Sequence, residues 1–149
     1  MVTVVDVASG ILERCGALTT MKMQKLAFYC QAQSLVMTGG PLFDEDFQAW
    51  MNGPVVPGLF RLHKGRYFVE PGFFAGDGSS SRLSGGQARL LVSVCDVLTG
   101  FTGRELSLRV KREAPWRDAR DGLPLDACGG PLIAKEAMRD YYSGNPIVG

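Results

Sequence analysis

The sequence predicts a mainly α (α+β) fold: a compact bundle of five to six helices with a short β-hairpin or one to two short strands. Three observations carry this. Apolar residues recur by steps of three and four along most of the longer segments. Most Gly and Pro residues fall between those segments. Strict alternation of apolar and polar residues is confined to a short run, Phe47 to Met51. This order is too helix-rich for a doubly wound sheet. At 149 residues the chain has the length of one domain, assigned to 1–149.

The elements follow in turn. Val4, Val7, Ala8, Ile11, Leu12 and Cys15 form a helical stripe, with Thr3 as N-cap and Gly16 as the stop. A second helix starts at Thr19 or Thr20 and runs to about Met37, followed by Gly39-Gly40-Pro41. Met23, Leu26, Ala27, Cys30, Ser34 and Met37 trace one of its faces. Phe28 and Leu35 widen the apolar surface, so this helix should be central and buried on more than one side. Phe47 to Met51 reads as a strand. After Asn52-Gly53, Pro54 is expected to open a third helix, with Pro57 in its first turn and Val55, Leu59 and Leu62 facing inward. Arg66 to Phe74 reads as an edge strand or apolar loop, and Asp77 to Ser81 as a loose loop. Ser84 and Thr102 each cap a further helix, the latter with Glu105 completing a capping box. Pro115-Trp116 starts a short turn. Pro131 is expected to open a final helix over Leu132 to Tyr142.

Composition narrows the function. Sixteen basic and fifteen acidic residues leave a net charge of +1, which does not suit a wholly basic nucleic-acid binder. With 46% hydrophobic residues the chain is not of the disordered class. No apolar run approaches the roughly 20 residues of a membrane span, and Met1 to Gly16 lacks a basic signal-peptide start. A cytoplasmic location is the expectation. Cys15, Cys30, Cys95 and Cys128 make no CxxC pair and lie apart from His63, the single histidine. The expectation is therefore no metal, no disulfide and no cofactor.

Nothing in the chain reads as a catalytic constellation. His63 has no nucleophile elbow near it. Ser84-Gly85-Gly86-Gln87 is Gly-rich and opens a helix, but lacks the phosphate-loop lysine. Asp44-Glu45-Asp46 lacks the pattern of a calcium loop. Charge is uneven: residues 1–60 carry net −2, 61–120 net +5 and 121–149 net −2. The basic middle, with Arg104, Arg109, Lys111, Arg112, Arg117 and Arg120, could steer an acidic partner or a phosphate backbone. Trp50 and Trp116, each beside a rigid Pro-containing turn, are either core residues or binding anchors.

An ordered set of motifs resembles a known family. Met23-Gln24-Lys25-Leu26-Ala27-Phe28-Tyr29-Cys30-Gln31-Ala32 resembles the "LQKLLYYAQ" helix of the SocA-like, or Panacea-domain, antitoxins. Pro41-Leu42-Phe43, then Ala49-Trp50 and Gly53-Pro54-Val55-Val56-Pro57, resemble that family's "plf…Aw..GPVvp" segment. Glu113 to Arg120 resembles its "E.PW..AR" motif, and the final helix matches in kind. Where the family often has His two residues before that Glu, this chain has Lys111.

The resemblance implies a phage-associated type of cytosolic antitoxin, encoded beside a toxin or in mobile elements. Such a protein would be non-enzymatic, would bind and neutralise a cognate toxin protein, and in at least one kind delivers it to a protease as an adaptor. The partner-binding residues it points to are Lys25, Tyr29, Trp50, Gly53, Pro54, Val55, Lys111, Pro115 and Trp116. Two other classes stay open. One is a small enzyme or binding module for a nucleotide-like or phosphorylated ligand, built on Gly85-Gly86, arginines and His63. The other is a DNA-binding autoregulator.

Overall fold

A computed structural model describes residues 1–148. Seven α-helices are present among them: α1 (Val4–Cys15), α2 (Thr20–Thr38), α3 (Pro57–His63), α4 (Gly85–Leu98), α5 (Gly103–Arg112), α6 (Ala114–Ala119) and α7 (Lys135–Gly144). Five short strands accompany them: β1 (Leu18–Thr19), β2 (Phe47–Trp50), β3 (Gly53–Val55), β4 (Phe68–Val69) and β5 (Leu132–Ile133). β1 pairs with β4, and a second sheet has the order β3-β2-β5, all antiparallel. The mainly α, α+β class read from the sequence is the observed one.

α2 is the axis of the molecule. Every residue from Met23 to Ala32 is buried, and α1, α4, α5, α7 and β3 all pack on it. A helix enclosed on all sides has no polar face to spare, so its polar residues must find partners inside. Gln31 does: its Oε1 accepts the Leu42 and Phe43 N–H groups, and its Nε2 donates to the Phe43 carbonyl. That pins the chain leaving α2 on its way to β2. Phe28 then meets Phe47 of β2 and Tyr142 of α7 edge-on, fixing sheet and final helix against the same turn.

The helix starts are local. Thr3, Ser84 and Thr102 close reciprocal capping boxes with Asp6, Gln87 and Glu105, and Thr19 caps α2. Asp6 has a second role: its carboxylate also accepts the Ser79 N–H at 2.8 Å. The Gly/Ser stretch that reads as loose is thus tied to α1, and it carries a single 3-10 turn at Ser80–Arg82.

Five expectations are corrected. Pro54 opens no helix: it sits in β3, opposite Ala49, and α3 begins at Pro57. β3 is an edge strand, where a residue without an N–H is tolerated. Leu62 is 39% exposed rather than inward, and Met37 at the end of α2 is 67% exposed. Leu132 and Ile133 form β5 against Gln48 and Phe47, so the last helix begins at Lys135. Pro115-Trp116 lies in a helix of its own, α6.

Candidate functional site

The β2–β3 hairpin turns over in two residues, Met51 and Asn52, and three side chains from the α5–α6 region hold its carbonyls. Ser107 donates to Asn52 at 2.6 Å, the Trp116 indole N–H to Trp50 at 2.8 Å, and Arg120 to Ala49 at 2.8 Å. The Pro-Trp segment and the Gly-Pro-Val segment, far apart in sequence, are therefore two halves of one clamp. Arg120 also donates to the carbonyls of Pro124, Ala127 and Gly129, and its guanidinium lies 5.4 Å from the centre of the Trp116 ring.

The clamped hairpin forms one wall of a cleft of about 340 Å³. Trp50, Met51 and Val55 come from the hairpin, Phe60 and His63 from α3, and Gln24 and Lys25 from α2. Gln24 has a fixed orientation. Its Oε1 accepts the Val56 N–H at 3.1 Å, so its Nε2 is the group facing His63 Nε2 at 3.0 Å. That ring nitrogen must accept, which makes His63 neutral. Burial lowers the His63 pKa, its own backbone hydrogen bond opposes this, and the nearby Lys25 lowers it further.

Lys25 is the unusual residue. It is 2% exposed, and among the described residues its ammonium makes no hydrogen bond or salt bridge, so the Nζ keeps its opening to the cleft. Burial, with a smaller contribution from Lys111, pushes its pKa down to about 7. Gly53 makes room for it. A Cβ at position 53 would lie 2.5 Å from Lys25 Cε, and Gly53 has φ +122°. Gly53→Ala is expected to cost about 2–4 kcal/mol in urea unfolding. Adding Lys25→Ala should recover the steric part and leave the backbone part.

Lys25 also sets a pH dependence. The unfolded lysine titrates near 10.5 and the folded one near 7, so the unfolded chain binds more protons between those values. Stability contributed through this group therefore rises with pH across that window, approaching a tenfold change in the folding equilibrium per unit. Lys25→Met removes the slope. The variant should be the more stable protein at pH 6.5, with an advantage that shrinks by pH 9.5, as read from urea midpoints.

The other partner-binding residues named from the sequence are placed as follows. Trp50 and Val55 line the cleft, Gly53 abuts Lys25, and Pro54 is buried between Gly53 and Val55 in β3. Lys111 reaches over the Trp116 ring, with its Nζ 5.6 Å from the ring centre. Trp116 is 7% exposed, and Pro115 lines a separate recess with Ala114, Leu132 and Tyr141. Tyr29 is fully buried; it and Tyr142 donate to Glu113 at 2.5 and 2.8 Å. Burial first, and then Glu113, raises the Tyr29 pKa. In this fold Tyr29 is an interior residue.

Gln24, Phe60 and His63 do not stand out as one group in the sequence. The available signal was the polar pair Gln24-Lys25 inside an otherwise apolar helix. The basic middle segment is divided by the fold: Arg120 turns inward, and Arg109 lies 3.6 Å from Glu113 and over Tyr29. Gly85 and Gly86 start α4 and do not line the cleft that holds His63. Asp46 is ion-paired to Lys135. Among the described residues no group of three or more His, Cys, Asp or Glu is placed to hold a metal ion. Cys15 is raised by a hydrogen bond with Cys95 and by burial, and a thiol held protonated is a poor nucleophile. No helix among the described residues is long and apolar enough to cross a membrane.

The family model for the antitoxin SocA-like, Panacea domain matches residues 23–117, more than half of the chain. The chain belongs to this family. The match opens within α2 and closes in α6, so it takes in the hairpin, α3 and the Pro-Trp segment of the clamp. Membership supports an antitoxin role in general, and with it a toxin-type protein as partner. No curated protein and no solved structure matches the chain.

Proposed function

We propose that this Panacea-domain chain is a non-enzymatic, cytoplasmic antitoxin that binds and neutralises a cognate toxin protein, and that the clamped hairpin is its contact surface. The family match is the observation that carries the reading. The geometry supports it in one further way. Trp50 and Met51 stand at a turn whose backbone is held by Ser107, Trp116 and Arg120, so little freedom is lost when a partner covers them. Lys25, Trp50, Gly53, Pro54 and Val55 are the residues assigned to that surface, directly or by shaping it. Lys111, Pro115 and Trp116 act through the clamp or beside it, and Tyr29 acts from within.

Neutralisation takes one of two forms: occlusion of the toxin, or its delivery to a protease. They differ in what happens to the toxin. Under occlusion its level holds while its effect disappears; under delivery its half-life falls. Co-purification from cells expressing this chain with the product of the adjacent gene tests the binding itself. A stable complex is the expected result, and a Trp50→Ala variant should weaken it. Two proteins that elute apart, with the adjacent product harmless when expressed alone, would contradict the proposal.

A further inference from the structure

Lys25 is a basic group in the lining of a largely apolar cleft, and among the described residues it has no counter-charge. Taking an ion from water into such surroundings is costly unless something pairs with it. The groups that bear on it from the elements around it do not supply the pairing. Lys111 of α5 carries the same sign, and His63 of α3 is held neutral by Gln24. Among the described residues no carboxylate lies within ion-pair distance of it. Gln24 Nε2 has two hydrogens and uses one on His63, which leaves a second donor on a side chain that also lines the cleft. The rest of the wall is mostly apolar, with Met21, Trp50, Met51, Val55 and Phe60, and Thr20, Asn52, Cys128 and Gly129 complete it.

We infer that this cleft receives the C-terminal residue of a partner polypeptide, with the free carboxylate on Lys25 and an apolar last side chain against Trp50 and Phe60. Charge selects the carboxylate. The apolar wall selects the class that carries it. A phosphate would bring three polar oxygens and no apolar surface for this wall. An Asp or Glu within a chain would bring flanking peptide groups on both sides into a cleft with few groups to satisfy them. A chain terminus enters end-on with a single peptide group behind it. The cleft volume of about 340 Å³ suits one residue of that kind.

The inference rests on the protein-binding reading above, but its test needs no toxin, so either can fail without the other. The probes are Gly-Gly-Gly-Val, Gly-Gly-Gly-Leu and Gly-Gly-Gly-Phe as free acids, the same peptides as C-terminal amides, and phenylacetate and hexanoate as small apolar acids. Binding is followed by calorimetry and by the Trp50 indole N–H signal in NMR spectra of the full chain. At least one free acid should bind roughly tenfold or more tightly than its amide, as expected for one charge-assisted contact. Lys25→Met, expected to fold at least as stably as the wild type, should abolish that preference. Equal binding of acid and amide, a preference that survives in Lys25→Met, or no binding by any peptide overturns the inference. Small acids that bind as tightly as the peptides overturn the assignment to a polypeptide and make the cleft a site for a small apolar acid.

Discussion

Arg120→Leu is expected to lower the unfolding free energy by about 3 kcal/mol. For a chain of this size that is roughly 6–12 °C in melting temperature. Arg120 is buried and donates to four carbonyls, those of Ala49, Pro124, Ala127 and Gly129. Leucine fills part of the space but donates nothing, so the buried Ala49 carbonyl loses this donor. Arg120→Lys should recover only part of the loss, because an ammonium lacks the planar fork that reaches several carbonyls at once. Urea unfolding of both variants measures the difference. Wild-type stability in Arg120→Leu would mean that the residue is one more surface cation of the basic segment.

Gly130→Ala is expected to be at least as damaging, about 3 kcal/mol or more. A methyl group there would overlap the Ala49 carbonyl, which belongs to β2, the central strand of its sheet. Backbone cannot swing aside as a long side chain can. Moving Ala49 also disturbs the Arg120 hydrogen bond and the Ala49 N–H bond to Pro131, so the damage should spread to the hairpin. Gly144→Ala is the control. Nothing lies within 4 Å of a Cβ at that position, so stability should be unchanged or slightly raised. Loss of stability in the control alone would show that the local packing at Gly130 is not as described.

These two residues mark where the sequence stops being legible. The starts of α1, α2, α4 and α5 could be read because each cap depends on residues no more than three positions apart: Thr3 with Asp6, Thr19 with Lys22, Ser84 with Gln87, Thr102 with Glu105. The central position of α2 could be read because its apolar residues circle the helix. Strands β3 and β5 could not. Pro54 looks like a helix start until β2 is known to lie beside it, and Leu132-Ile133 looks helical until paired with Phe47 and Gln48. Neither partner is close in sequence. Arg120 was legible as a charge but not as a hydrogen-bond donor, since its acceptors are backbone carbonyls that any residue would supply.

The candidate site divides in the same way. Trp50, Gly53 and Lys25 stand out through their motifs, and the fold does bring them together. Their division of labour does not show in the sequence. Gly53 makes way for the Lys25 stem, Tyr29 faces inward to Glu113, and Trp116 is spent on holding the Trp50 carbonyl. Gln24 and His63 become a unit only because α3 folds back onto α2, which bridges 39 positions of sequence. The same fold sets stability against function at Lys25: the amine is costly to bury, and Lys25→Met should fold better while binding worse.

Growth rescue tests whether this chain neutralises a toxin through the clamped hairpin. Cells expressing the product of the adjacent gene are compared with and without this chain, alongside Trp50→Ala and Lys25→Met at matched protein levels. The adjacent product is expected to arrest growth, the wild-type chain to restore it, and both variants to restore it less, although Lys25→Met should be the more stable protein. Arrest that is equally deep with and without the wild-type chain would contradict the antitoxin reading. Full rescue by both variants would contradict the placing of the contact surface at the clamped hairpin.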